Sequence, residues 1–174
     1  MASKSKTDGI RRNGCEDRQM DAIDRKLLAA LQEDAGQRYA DLADRLGLSA
    51  PALHERVKKL KAKGIITRTT IELDTAKLGY GICAFIHVKT RTPAQGGWNK
   101  DEIAELLRQE PAVEEAHAIA GSVCMILKVR VPTADDLGDF LKRLFAIDGV
   151  VESESFISID PLIDRGPDAM GASD

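Results

Sequence analysis

Nowhere in the 174 residues is there an apolar run approaching the roughly 18 to 20 residues that a membrane-spanning helix needs. Residues 1–12 carry basic groups with no apolar stretch behind them, so neither a span nor a secretory leader is expected. The expected compartment is the cytoplasm. Cysteine is scarce: Cys15, Cys83 and Cys124 are odd in number and widely spaced, which fits neither a disulfide framework nor a zinc pattern. Cys83 and Cys124 read as small hydrophobes within strands, and Cys15 as an exposed thiol in a tail. Also missing are a phosphate-binding glycine loop, a nucleophile elbow and a compact metal motif, so no enzyme chemistry, cofactor or metal is expected. His87, His117 and Cys124 all fall on expected strands, with His87 and Cys124 on one sheet face, but their spacing is not that of a metal site. What is present, 43 % hydrophobic and 30 % charged residues, is the composition of a folded domain.

The net charge of −3 conceals a division. Residues 1–20 sum to +2, residues 21–73 to +2 and residues 74–174 to −7. The field that a partner meets is local, screened beyond about 10 Å at 0.1 M salt. Between positions 54 and 68, Arg56, Lys58, Lys59, Lys61, Lys63 and Arg68 oppose only Glu55.

Residues 1–19 have almost no apolar content and read as a flexible tail. From Asp21, Ile23, Leu27, Leu28 and Leu31 follow helical spacing, with Asp21 and Asp24 placed for an N-cap and a first-turn charge. This helix is expected to stop near Gly36 in a left-handed conformation. A short helix over about 40–46 and a third over 50–63 follow, with Ser49 as N-cap and Pro51 tolerated in the first turn. The β-branched residues Ile65, Ile66, Thr67, Thr69, Thr70 and Ile71 read as one or two short strands.

After a linker, the pattern reads strand 80–90, loop 91–98, helix 100–109, strand 112–120, strand 122–131, helix 134–146 and strand 150–159. The order βαββαβ is the ferredoxin-like split arrangement, an antiparallel sheet with both helices on one face. The fold class is therefore α+β, with domains at 20–73 and 80–160, a linker at 74–79 and a loose tail at 161–174. In the first of these strands Ile82, Ala84, Ile86 and Val88 alternate with Cys83, Phe85, His87 and Lys89, so both faces are partly apolar. The second face needs a cover that one chain does not supply, which implies a second subunit.

The most specific signal is Leu42-Ala43-Asp44-Arg45-Leu46-Gly47-Leu48-Ser49 followed by Leu53, Val57 and Leu60. It reads as helix-turn-helix: Ala43 allows a close crossing, Gly47 supplies the turn and the three apolar residues anchor the third helix. The opposite face of that helix displays Pro51, Glu55, Lys58, Lys59 and Ala62. Its first turn (Ser49, Ala50, Pro51, Ala52) and His54 face base edges and phosphates of double-stranded DNA, and Arg56, Lys58 and Lys59 supply basic groups.

The span 20–159 resembles the Lrp/AsnC (leucine-responsive/asparagine-regulator) family of transcription regulators. The resemblance rests on Ile23-Asp24-Arg25-Lys26-Leu27-Leu28, on the helix-turn-helix segment, on Arg56-Val57-Lys58-Lys59-Leu60 with Gly64-Ile65-Ile66, and on Leu78-Gly79. It continues through Gly121, Ile126-Leu127-Lys128-Val129-Arg130-Val131 and Asp148-Gly149-Val150. It implies a winged helix-turn-helix joined to a regulatory domain that binds small effectors such as amino acids and builds dimers, often assembled into octamers. The implied effector residues are Gly121, Ser122, Cys124, Met125, Ser153 and Ser155.

Three departures from the family pattern bear on mechanism. After the glycine the family has an acidic residue, any residue, aspartate and tyrosine, where this chain has Ser122, Val123, Cys124 and Met125. Both acids that would favour a bound ammonium are missing, while Gly121, Ser153 and Ser155 keep polar parts of the pocket. Glu55 stands where a basic residue is usual, which changes the base preference. Arg38 stands where a serine cap is usual, at a cost of roughly 1 kcal/mol.

Two other classes are open at this stage. A sirohaem-decarboxylase-like enzyme shares the architecture and would use His87, His117, Lys128 and Arg130 around a tetrapyrrole, leaving the basic helix unexplained. A partner-binding module without DNA affinity would show oligomers alone. Trp98 reads as an aromatic anchor or a pocket cover.

Overall fold

The computed structural model describes residues 20–91 and 99–163. The expectations for the N-terminal tail with Cys15, for the 92–98 loop with Trp98 and for the C-terminal tail beyond residue 163 lie outside the described residues. The chain divides into two compact units, one ending at Ile71 and the other beginning at Glu72.

The first unit is three helices, α1 (Ala22–Glu33), α2 (Tyr39–Arg45) and α3 (Ala50–Ala62). Asp21 caps α1 by accepting the Asp24 N–H at 2.7 Å, and the Asp24 carboxylate accepts the Asp21 N–H at 3.4 Å in return. Together they form a capping box, which satisfies two N–H groups that the helix itself cannot. The helix ends at Asp34 rather than near Gly36, and Gly36 is not left-handed. Side chains do the terminating instead: Gln37 Nε2 donates to the carbonyls of Ala30 and Asp34 at 2.7 Å each, and the Asp34 carboxylate accepts the Gly36 N–H at 2.7 Å.

Arg38 precedes α2 without a side-chain cap and instead grips Asp41 at 2.9 Å. The left-handed turn after α2 falls on Gly47 at φ +65°, where a side chain would strain the backbone. Ser49 then caps α3 through the Ala52 N–H at 3.3 Å, with Pro51 in the first turn. Leu27, Ala30, Leu42, Ala43, Leu53, Val57 and Leu60 bury one common core. The strands expected over residues 65–71 are not formed. The N–H groups of Ile65 and Ile66 turn back to the Leu60 carbonyl, and among the described residues no strand lies beside this segment.

The second unit is β1 (Ile82–Thr90), α4 (Lys100–Arg108), β2 (Val113–Ala118), β3 (Met125–Val131), α5 (Ala134–Ala146) and β4 (Val150–Ser158). Its sheet has the order β2-β3-β1-β4 with every neighbouring pair antiparallel. Ala84, Ile86 and Val88 of β1 and Met125, Leu127, Val129 and Val131 of β3 pack with Ile103 and Leu107 of α4 and Leu137, Phe140 and Leu144 of α5. Both helices therefore cover one face. β3 begins three residues later than the alternation implies, because residues 119–124 form a turn. That turn is closed by bonds from the Ile119 N–H to the Cys124 carbonyl and from the Cys124 N–H to the Val88 carbonyl, both 2.9 Å.

Candidate nucleic-acid interface and effector region

The burial of Leu53, Val57 and Leu60 fixes which way α3 faces. Pro51, Glu55, Lys58, Lys59 and Ala62 are all exposed on the side away from the core. Lys58 Nζ lies 3.8 Å from the Glu55 carboxylate, and both side chains remain largely in solvent. Lys59 and Lys61 have no ion-pair partner among the described residues. Ser49 spends its hydroxyl on the cap, and Ala50 and Ala52 are half-buried in the first turn. The N-terminal end of this helix, with its unpaired N–H groups and positive dipole end, suits an anion.

Two nominated side chains have partners inside the unit. The exposed His54 ring lies against Tyr39 of α2, with centroids 4.8 Å apart and planes tilted by 51°. Arg56 points to α1, where its Nη1 lies 2.7 Å from Asp21 Oδ2 and 2.7 Å from Asp24 Oδ1. The Asp21 carboxyl is held below the ordinary aspartate range, first by the Asp24 N–H and then by Arg56. The guanidinium is correspondingly raised by Asp21 and Asp24. Beside this pairing lies a cleft of about 320 Å³ lined by Asp24, Ala52, Glu55, Arg56, Lys59, Leu60 and Lys63. Tyr39, Asp21 and Asp24 as partners of α3 had no sequence signal at short range: Arg56 lies 35 and 32 residues from its two carboxylates.

Five of the six effector candidates lie at or beside the end of the sheet where β3 begins, and Ser155 lies further along β4. Gly121 and Ser122 are exposed in the turn before β3, Cys124 is half-buried and Met125 is buried in the core. Ser153 of β4 pairs with Val88 of β1, which on its other side pairs with Met125. Ser153 and Met125 thus sit in one row, two strand spacings or roughly 10 Å apart. Ser155 pairs with Ile86 and is exposed, displaced along β4 by one side-chain repeat. A cavity of about 270 Å³ in this unit lies elsewhere, lined by residues including Tyr80, Arg130 and Arg143. Sequence reasoning missed Thr90 at the same end of β1, whose buried hydroxyl has no hydrogen-bond partner among the described residues.

The sheet face away from the helices carries an apolar centre ringed by ion pairs. Phe85 pairs with Phe156 across β1 and β4, and they are 41 % and 46 % exposed. The His87 ring lies 4.8 Å from that of Phe156. Lys128 lies between Glu114 at 3.4 Å and Glu115 at 3.5 Å, His117 meets Glu115 at 3.1 Å, and Lys89 meets Glu152 at 2.8 Å. The Glu115 carboxyl is lowered chiefly by His117 and then by Lys128. Arg130 pairs with Glu114 and donates to the Thr75 hydroxyl. The residues nominated for a tetrapyrrole are engaged in this network, and among the described residues no three metal-ligating side chains cluster.

Comparison with known proteins bears on both units. Residues 20–67 match a family model described as winged helix-turn-helix DNA-binding, and residues 83–168 match the Lrp/AsnC ligand binding domain. A protein of Pyrococcus abyssi named as an uncharacterised HTH-type transcriptional regulator is 35 % identical over 142 residues, 81 % of this chain and 93 % of that one. The regulatory protein AsnC of Haemophilus influenzae is 31 % identical over 141 residues, covering 80 % of this chain and 91 % of AsnC. Among solved structures, the feast or famine regulatory protein of M. tuberculosis complexed with L-methionine superimposes with a TM-score of 0.75 at 29 % identity. That match covers 83 % of this chain and 95 % of that one.

Proposed function

The chain belongs to the Lrp/AsnC family of transcriptional regulators, and on that premise we propose that it reads DNA with the exposed face of α3. It is a DNA-binding regulator with a winged helix-turn-helix and an α+β ligand-binding domain. The observation that carries the proposal is the display of Lys58 and Lys59 opposite the buried stripe, next to a capped N-terminus. With α3 in a major groove, Ser49, Ala50, Pro51 and Ala52 approach the bases and backbone, while Lys58 and Lys59 meet phosphates. Glu55 accepts from cytosine N4, or by repulsion excludes other registers, and so sets sequence preference. His54 reaches the duplex edge from its place against Tyr39.

Lys58→Ala and Lys59→Ala should each weaken binding at every duplex sequence and lower the salt slope by about one counterion. Unchanged slopes, measured by titrating salt against duplex affinity, would remove both from the phosphate-contacting set.

The partner that covers the open sheet face is a second copy of the chain: Phe85 and Phe156 supply an apolar centre, and the surrounding charges form the polar rim of an interface. Higher assembly, up to an octamer, would build on that dimer. The effector region around Gly121, Ser122, Cys124, Met125, Ser153 and Ser155 takes a small molecule. The M. tuberculosis neighbour is complexed with L-methionine, and the two missing acids point here to a small molecule other than a standard amino acid. The protein works in the cytoplasm without enzymatic turnover. Relatives named as transcription regulators favour this over a haem-pathway enzyme.

A further inference from the structure

α3 turns one cation away from its exposed face, and every oxygen of the receiving site has a donor. Asp21 Oδ1 accepts the Asp24 N–H while Asp21 Oδ2 accepts from Arg56. Asp24 Oδ2 accepts the Asp21 N–H while Asp24 Oδ1 accepts from Arg56. Each of the four carboxylate oxygens thus has one donor, and a single guanidinium joins the capping box of α1 to the middle of α3. The Asp24 side chain is only 13 % exposed. Swinging Arg56 out to a phosphate would exchange one anion for another and leave two carboxylates beside DNA without their cation, one of them largely buried. Such a half-broken pair is costly.

We propose that Arg56 is a positioning residue rather than a DNA contact: it fixes the pitch of α3 by fastening it to the first turn of α1, so DNA affinity depends on Asp21 and Asp24. The inference rests on the reading of α3 as the recognition helix. It also separates Arg56 from Lys58 and Lys59, which sequence alone groups together.

The sign of one substitution distinguishes the two roles. If Arg56 were a contact parked on Asp24, Asp24→Asn would release it, remove a negative charge near DNA and tighten binding. As a positioning residue, Arg56→Gln and Asp24→Asn should each weaken binding by about tenfold, the scale of one charge-assisted hydrogen bond. The double variant should then be no weaker than the worse single one, with the salt slope kept. The full chain is used, with a duplex that the wild type selects from random sequence, and Asp21→Asn serves as the milder variant should Asp24→Asn not fold. Tighter binding by Asp24→Asn or Asp21→Asn, or loss of one counterion in Arg56→Gln, would overturn the proposal. If the wild type selects no duplex, the major-groove reading fails by itself. The tie is then read from exchange of the Arg56 Nη1–H protons, which make both bonds, in the free protein: slow exchange that Asp21→Asn accelerates supports it, and exchange as fast as in an unstructured peptide overturns it.

Discussion

A bound ammonium group favours a carboxylate, because a charge removed from water must be paired to offset its lost hydration. Ser122 and Cys124 offer a hydroxyl and a thiol in place of the two acids of the family pattern, and neither carries a full negative charge as an alcohol or thiol. If these residues have ended amino-acid recognition, calorimetry of the full-length protein against the standard amino acids should give no binding heat. A clear titration with any of them would overturn that reading. At this scale the sequence was informative wherever partners are close along the chain. Asp21 with Asp24, and Ser49 with the Ala52 N–H, were legible as caps because capping acts over three residues. The partners of Arg56 and His54 were not, because both are set by how helices cross. Charge clustering alone groups Arg56 with Lys58 and Lys59.

Elements were legible where periodicity and a burial partner coincide. α5 was read with the boundaries observed, since Leu137, Phe140 and Leu144 form an uninterrupted stripe between the Thr133 cap and Ile147. β-Branched composition over residues 65–71 did not make strands, because a strand needs a neighbour's ladder and propensity does not provide one. β3 starts later than its alternation implies for a related reason: the apolar alternation runs on through Val123, but the turn closed by Ile119 and Cys124 interrupts it. The two-sided apolar alternation of β1, by contrast, already pointed to an open sheet face, and Phe85 and Phe156 lie side by side on it. If two copies associate through this face as proposed, placing a charge there should separate them. Phe85→Glu should shift the sedimenting species toward monomer while the helical signal is kept; an unchanged oligomer would show that copies associate through another surface.

At the scale of the molecule, charge is partitioned as function is. An overall −3 would argue against a nucleic-acid ligand, yet the negative excess belongs to residues 74–174 and the basic cluster to the helix-turn-helix. Neither unit alone accounts for a regulator: the first carries the DNA-binding helix-turn-helix and the second the Lrp/AsnC ligand-binding domain. A dimer would present two α3 helices to the same duplex, with half-sites one turn apart, roughly 10 base pairs centre to centre, or a multiple of it. Selection from random duplex DNA by the full-length protein at physiological salt tests this most directly. The account predicts enrichment of a roughly symmetric motif with that spacing. Failure to enrich any sequence, with binding lost as salt rises, would contradict it.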